Sequence, residues 1–496
     1  MMNDDHPWRI LRPGETCWRM ERANRLAVIV DAADYFSTIR ATVRHAEHTV
    51  MLIGWDFDTR IKLDPQDDAS DAPNQLGAFV KWAIKQKPEL KIYILKWDLS
   101  IIQALGRGAT PMMVLDWMTS KRIRFKLDHA HPAGATHHQK IVVIDDVLAF
   151  CGGIDMTADR WDTRAHLDDD PRRVRPTSKR SYDPWHDATT AVDGDAARAL
   201  GELARDRWKR ATGEELAPPP ATAAIWPDSL PPSMTDVDVA ISRTQSEHDG
   251  HAEVREIEAL YLAVIAGAKT SLYIESQYFA SRSITEAMAT RLREADGPEI
   301  VVINPETADG WLEEKVMGAS RVHMLRIISE ADLHGRFRLY TPVTSGGSPI
   351  YVHAKVLVMD DRLVRVGSSN LNNRSLGFDT ECDLSVEAAP EADDALRRQI
   401  VGLRNDLLAE HLGVAKTAIE AELARANGSL ITAIESLRGT GRTLLPFDPP
   451  ELGAAEEEWL ADNSFLDPER SSAAPQNGGI RAWFSRDNQE THIKSR

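Results

Sequence analysis

Apolar positions along this chain fall into two alternating rhythms, and the alternation occurs twice. Residues 35–48 repeat their apolar side chains at helical spacing and run straight into the strand-like segment VMLIGWDFD at 50–58. Residues 252–268 do the same and run into SLYIESQYF at 271–279. Next come KIYIL at 91–95 in the first copy and EIVVI at 299–303 in the second, short β-branched runs of the kind buried in parallel sheets. RIRFKL at 122–127 then pairs with RFRLYT at 336–341, both with the alternation of a strand that leads to a turn. The pattern predicts an α/β fold made of two similar lobes, each a mixed β-sheet flanked by helices.

Six prolines between positions 218 and 232 interrupt this rhythm, so residues 216–236 read as an extended connector between a first lobe, 1–215, and a second, 237–390. Residues 391–413 have the pattern of an amphipathic helix within an acidic, partly helical region spanning 391–463. The tail 464–496, rich in Ser, Asn, Gly and charge, reads as disordered.

Composition narrows the class. The 496 residues carry 59 Lys+Arg against 76 Asp+Glu, a net charge of -17, which argues against a dedicated nucleic-acid binder unless a local basic patch exists. No apolar run approaches the roughly 18 to 20 residues that cross a bilayer. The acidic N-terminus does not resemble a signal peptide. Three cysteines without paired spacing, Cys17, Cys151 and Cys382, exclude a disulfide framework and a cysteine zinc site. A reducing, cytoplasmic location is therefore expected.

Candidate chemistry sits at matching places in the copies. HHQKIVVID holds His138, Lys140 and Asp145 at H-x-K-x4-D spacing, and VHAKVLVMD repeats it with His353, Lys355 and Asp360. Chance predicts only about 0.3 such matches in a chain of this composition. Asp155 and Asn370 each follow their histidine by 17 positions. Alternation along a strand would put each His and Lys on one face, a pairing suited to a phosphoryl group, with Asp155, Asn370, Gly153 and Ser368 as further phosphate-binding candidates. With two histidines, one can attack phosphorus while the other protonates the leaving alkoxide, and lysine charge stands in for a metal. No cofactor is expected. A carboxylate on the far nitrogen of each ring would fix its tautomer, and Asp187 and Glu381, each opening a strand, are the candidates. Asp145 and Asp360 are either part of the catalytic set or holders of the turn that follows.

These residues, with GGIDMTADRWD, YDPWHD, YIESQYF and GSSNLNNRS, resemble the phospholipase D superfamily over about 46–386, and its eukaryotic-type branch more than its small nucleases. The resemblance implies one active site at a pseudo-twofold lobe interface and phosphodiester transfer through a phosphohistidine without metal. It casts His138 as nucleophile and His353 as general acid. The implied substrate is a glycerophospholipid met peripherally at a membrane surface, with water or an alcohol as acceptor and phosphatidic acid as product. A cardiolipin synthase-like phosphatidyltransferase and, less so, a nucleic-acid phosphodiesterase are the alternatives. An inactive lipid-binding scaffold would have lost a His or a Lys, and both pairs are intact. The sequence is expected to lack the N-terminal lipid-binding domain such enzymes often carry, and needs no second copy to complete the site.

Three other features are open to two readings. His131, His137 and His186 are either metal ligands or polar supports. Trp55, Trp161, Trp185 and Tyr278 either line a substrate pocket or pack the core. The basic segment 164–180 either faces anionic headgroups or is a solvated loop.

Overall fold

The computed structural model describes residues 9–65, 71–98, 120–307, 317–389 and 394–449. The tail expected to be disordered lies outside the described residues. The first half runs β1 (Arg19–Val30), α1 (Ala32–Val43), β2 (Thr49–Gly54), α2 (Leu76–Gln86), β3 (Lys91–Trp97), β4 (Ile123–Asp128), β5 (Ile141–Ile144), β6 (Leu148–Gly152), β7 (Trp185–His186), β8 (Ala188–Asp193) and α3 (Gly194–Thr212). The second half runs β9 (Met234–Gln245), β10 (Val254–Arg255), α4 (Glu256–Gly267), β11 (Ser271–Glu275), α5 (Arg282–Arg293), β12 (Glu299–Ile303), α6 (Ala319–Ala331), β13 (Phe337–Val343), β14 (Tyr351–Val352), β15 (Val356–Met359), β16 (Leu363–Gly367), α7 (Asn373–Gly377) and β17 (Glu381–Glu387). Helices α8 (Asp394–Leu412), α9 (Lys416–Arg425) and α10 (Leu430–Leu437) and strand β18 (Thr443–Pro446) follow.

All strands but β7 and β14 join one sheet ordered β18-β13-β12-β11-β15-β16-β17-β9-β1-β8-β6-β5-β2-β3-β4, with β10 beside β9. Read inward from β4 and from β13, the two sides are the same series of parallel outer strands, an antiparallel hairpin and a long central strand. They meet where β1 and β9 pair antiparallel, Arg19 opposite Ile241 and Leu26 opposite Met234. Alternation explains the layers: in β2, Met51 and Ile53 face one core while Val50 and Leu52 face another. Helices α1 and α2 cover the second of these, α4 to α6 cover its counterpart in the other half, and α3 and α8 to α10 cover the face shared by both halves. Strand β9 begins at Met234, inside the stretch read as connector, because the backbone there pairs with β1, Met234 opposite Leu26 and Thr235 opposite Arg25. Strand β18 was not legible in the sequence; it adds an edge to β13.

Candidate active site

Both histidines sit in the short segments that lead into β5 and β15, and each segment lies against the other half. The backbone N–H of His138 donates to Thr380 O at 3.0 Å, and that of His353 donates to His186 O at 2.8 Å. Tyr351 and Val352 pair in parallel with Trp185 and His186. This crossing brings each ring to the carboxylate that opens the opposite half's strand. His138 Nδ1 lies 2.9 and 3.0 Å from the two carboxylate oxygens of Glu381, and His353 Nδ1 lies 2.7 Å from Asp187 Oδ2. The halves are strapped together by their own candidate chemistry.

The lysines differ. Lys140 Nζ pairs with Asp155 Oδ2 at 3.0 Å. Lys355 Nζ donates to Gln277 Oε1 at 3.5 Å and to the His353 carbonyl, and forms no ion pair among the described residues. Burial pushes the Lys355 ammonium down to about 7, with Lys140 adding to the shift and Asp187 opposing it. Burial and the two lysines hold His138 well below its ordinary range. Burial, Lys355, Arg160 and Lys140 do the same to His353, so both rings are neutral in the free protein. Burial also raises Glu381 to about 8, against the donated hydrogen bonds of Ser368 and Ser375, and raises Asp187.

Several expected site residues do other work. Asp145 accepts the backbone N–H groups of Glu47, His48 and Thr49, and Asp360 those of Lys269, Thr270 and Ser271. Each stands at the far end of its strand from the histidine and clamps the loop entering β2 or β11, rather than the turn that follows it. Ser368 donates to Glu381 Oε2 at 2.5 Å, and the Gly153 N–H is used by Ala188 O. Gly153 matters through its missing side chain, since a Cβ would collide with Asp187 Oδ1. Asp155 has both oxygens engaged, by the amides of Trp55 and Asp56 and by Lys140. Phosphate contact for these three is thereby replaced by support of the ionisable groups. Asn370 is buried with its Oδ1 unpartnered.

Of the aromatic candidates, Trp185 lies at the site: it stacks on Tyr351 at 4.4 Å, stands 5.2 Å from the His353 ring, and carries the Arg160 guanidinium 4.1 Å above it. Trp161 packs in the core and Trp55 stacks on Trp97. His131 bonds the Trp97 indole and His137 bonds Thr380, apart from His186. In the basic segment, Arg164, Arg172, Arg173 and Arg175 are paired with Asp406, Asp170, Asp162 and Asp159, so most of its charge is spent internally and not offered to a headgroup surface. Sequence reasoning missed Arg160 and Gln277, although both lie inside quoted motifs.

A family described as "Cardiolipin synthase, PLD-like domain" matches residues 261–400. Phospholipase D A of Dictyostelium discoideum is 25% identical over 467 residues, 78% of this chain and 35% of that protein. Over most of its length the chain is thus similar to phospholipases D, and its second half matches a phospholipase D-like domain. The cardiolipin synthase of Halalkalibacterium halodurans is 23% identical over 366 residues, 71% of this chain and 61% of that protein. Phosphatidylserine synthase of Haemophilus influenzae Rd KW20 shares the phospholipase D-like fold at a TM-score of 0.52 and 12% identity, over 83% of this chain and 97% of its own. The chain spans about a third of the length of the first curated phospholipases D it matches.

Proposed function

We propose that this protein is a phospholipase D-type phosphodiesterase acting on glycerophospholipids through a covalent phosphohistidine. The crossed pairs His138–Glu381 and His353–Asp187, gathered with two lysines, carry the reading. A phosphodiester entering between the rings brings the negative charge that Lys355 lacks, and raises the proton affinity of the histidines and of Lys355. His138 Nε2 then attacks phosphorus as the bond to the headgroup oxygen breaks, and protonated His353 delivers its proton to that oxygen. Asp187 holds the imidazolium on the Nδ1 side. Water or an alcohol next gives its proton to His353 and displaces the phosphatidyl group from His138, yielding phosphatidic acid or a phosphatidyl alcohol. Lys140 and Lys355 stabilise charge on the non-bridging oxygens, with Asn370 and Arg160 as further donors.

Contact with lipid is peripheral in this reading: among the described residues no helix is long and apolar enough to cross a membrane. A cytoplasmic location fits the three free cysteines. One chain holds both histidines, so a monomer suffices. Phosphatidylcholine with ethanol should give phosphatidylethanol and an acid-labile phosphatidyl adduct on His138; product from DNA alone would defeat the lipid assignment. The matching family description favours one second reading, a phosphatidyltransferase with a lipid alcohol as acceptor. Cardiolipin formed from phosphatidylglycerol, at a rate above phosphatidic acid release, would select it.

A further inference from the structure

A second cluster of ionisable groups lies behind the reaction centre, wholly inside the core. Asp31 follows β1, His166 sits between β6 and β7, His186 ends β7, and Glu410 lies near the end of α8. All four are buried, and each offers one ligand atom within 4.8 Å of the others. His186 Nδ1 lies 3.0 Å from Glu410 Oε1 and 3.3 Å from Asp31 Oδ1. His166 Nε2 lies 3.2 Å from Glu410 Oε1 and 3.4 Å from Asp31 Oδ2.

Three observations point to a cation at their centre. One donor atom from each residue lies within 4.8 Å of the others, a span that takes in the edges of about 3.3–3.4 Å of a tetrahedral ion with bonds of about 2.0–2.1 Å. Asp31 Oδ1 accepts the Asp187 N–H at 3.1 Å, whereas His166 Nε2 lies nearer Glu410 Oε1 than Asp31 Oδ2. Asp31 Oδ2 accordingly has no hydrogen-bond partner although the residue is 1% exposed, an arrangement costly for a carboxylate unless something else meets it. The opposite nitrogen of each ring faces an outer carboxylate, His166 Nδ1 to Asp162 Oδ2 at 2.9 Å and His186 Nε2 to Glu275 Oε2 at 3.0 Å. Proteins orient metal-bound imidazoles in this way.

We propose that Asp31, His166, His186 and Glu410 bind a divalent transition cation, zinc by the chemistry of two imidazoles and two carboxylates. Asp31 and Glu410, the latter also paired with Arg164, supply the negative charge that the cation meets, with both imidazoles neutral as ligands. The four donors close the coordination shell, so the role is structural. The ion would pin His186, whose carbonyl receives the His353 N–H and whose neighbour Asp187 holds the His353 ring. Through Glu410 it ties α8 to that centre.

Metal content tests this apart from any activity. The full chain, produced with zinc in the medium and dialysed natively against EDTA, should retain about one zinc per chain and release it on unfolding in guanidinium. A homogeneous, cooperatively folding preparation with less than about 0.1 zinc per chain would overturn the proposal. So would nitrogen NMR showing His166 and His186 as imidazolium in zinc-free folded protein. Asp31→Asn and His166→Gln should each lower retained zinc at least about tenfold. If neither variant folds, X-ray absorption of the wild-type zinc decides. A four-coordinate nitrogen and oxygen shell with two imidazoles supports the site, and a six-oxygen or sulfur shell refutes it.

Discussion

The two lysines occupy equivalent places in the two halves yet carry opposite electrostatic histories. Lys140 faces Asp155 at 3.0 Å, whereas Lys355 has Asn370 at the equivalent position in sequence and no ion-pair partner among the described residues. An ammonium that faces a carboxylate already has its countercharge. A buried ammonium pushed down to about 7 has its charge drawn out by an anion. The duplicated motif is thus not a duplicated environment: one lysine has its own carboxylate, and the other is left for an entering anion to meet.

The largest effect should come from breaking the feature both halves share. His138→Ala and His353→Ala are each expected to lower kcat by about 10⁴-fold or more, with only His353→Ala partly recovered on substrates whose leaving group needs no proton. Turnover near wild type in either variant would end the two-histidine scheme. Next, Asn370→Asp should convert the second lysine into a copy of the first. It should lower kcat/KM roughly 10²-fold, because a carboxylate beside Lys355 both neutralises it and repels phosphate. Asp155→Asn frees Lys140 and should cost roughly tenfold or less. Equal losses in the two variants, at matched stability, would mean that the lysines are equivalent after all.

A smaller effect distinguishes the histidine partners by pH. Burial raises Glu381 to about 8, so in the folded protein it holds a proton that the unfolded chain releases near its ordinary 4.5. Its stabilisation is complete below about 4.5 and is lost as pH rises through about 8. Glu381→Gln should therefore flatten the decline of unfolding free energy between those limits. It should also remove the rise in kcat/KM on approach to pH 8, where the Glu381 carboxylate forms and strengthens His138 as a nucleophile. An unchanged pH profile in Glu381→Gln would show that the pair does not titrate there.

Much of this site could be read without coordinates, because the signal was duplication. A motif of three residues is weak alone, but two copies in register fixed the histidines and lysines and even the carboxylates Asp187 and Glu381. Strand runs such as EIVVI were legible because burial on both faces leaves a continuous β-branched segment. What pairs with what was not legible. Each histidine meets the other half's carboxylate only because residues 136–138 and 351–353 cross the interface, a tertiary fact that no local period encodes. Glu410 and His166 escaped for the same reason: they lie 244 positions apart and are joined only by folding. The arginines of 164–180 look basic in sequence because their acidic partners are supplied by geometry.

The smallest effect concerns the aspartates that end the two motifs. Asp145 and Asp360 both have a positive φ, 49° and 54°, which Asn and Asp tolerate better than most side chains. Asn is therefore the substitution that removes charge while sparing the backbone. Each carboxylate gathers three backbone N–H groups at the entry to β2 or β11, charge-assisted bonds that an amide oxygen only partly replaces. Asp145 is 2% exposed whereas Asp360 is half-buried, so water can take over part of the second set but not the first. Urea denaturation should show a loss of about 2 kcal/mol for Asp145→Asn and about 1 kcal/mol for Asp360→Asn. The folded fraction of each should keep kcat within a few fold, since the clamp stands at the opposite end of a four-residue strand from the histidine, about 13 Å along it. A fully folded Asp145→Asn protein with kcat reduced about 10³-fold would return the aspartates to the chemistry and erase the distinction between the two ends of the motif.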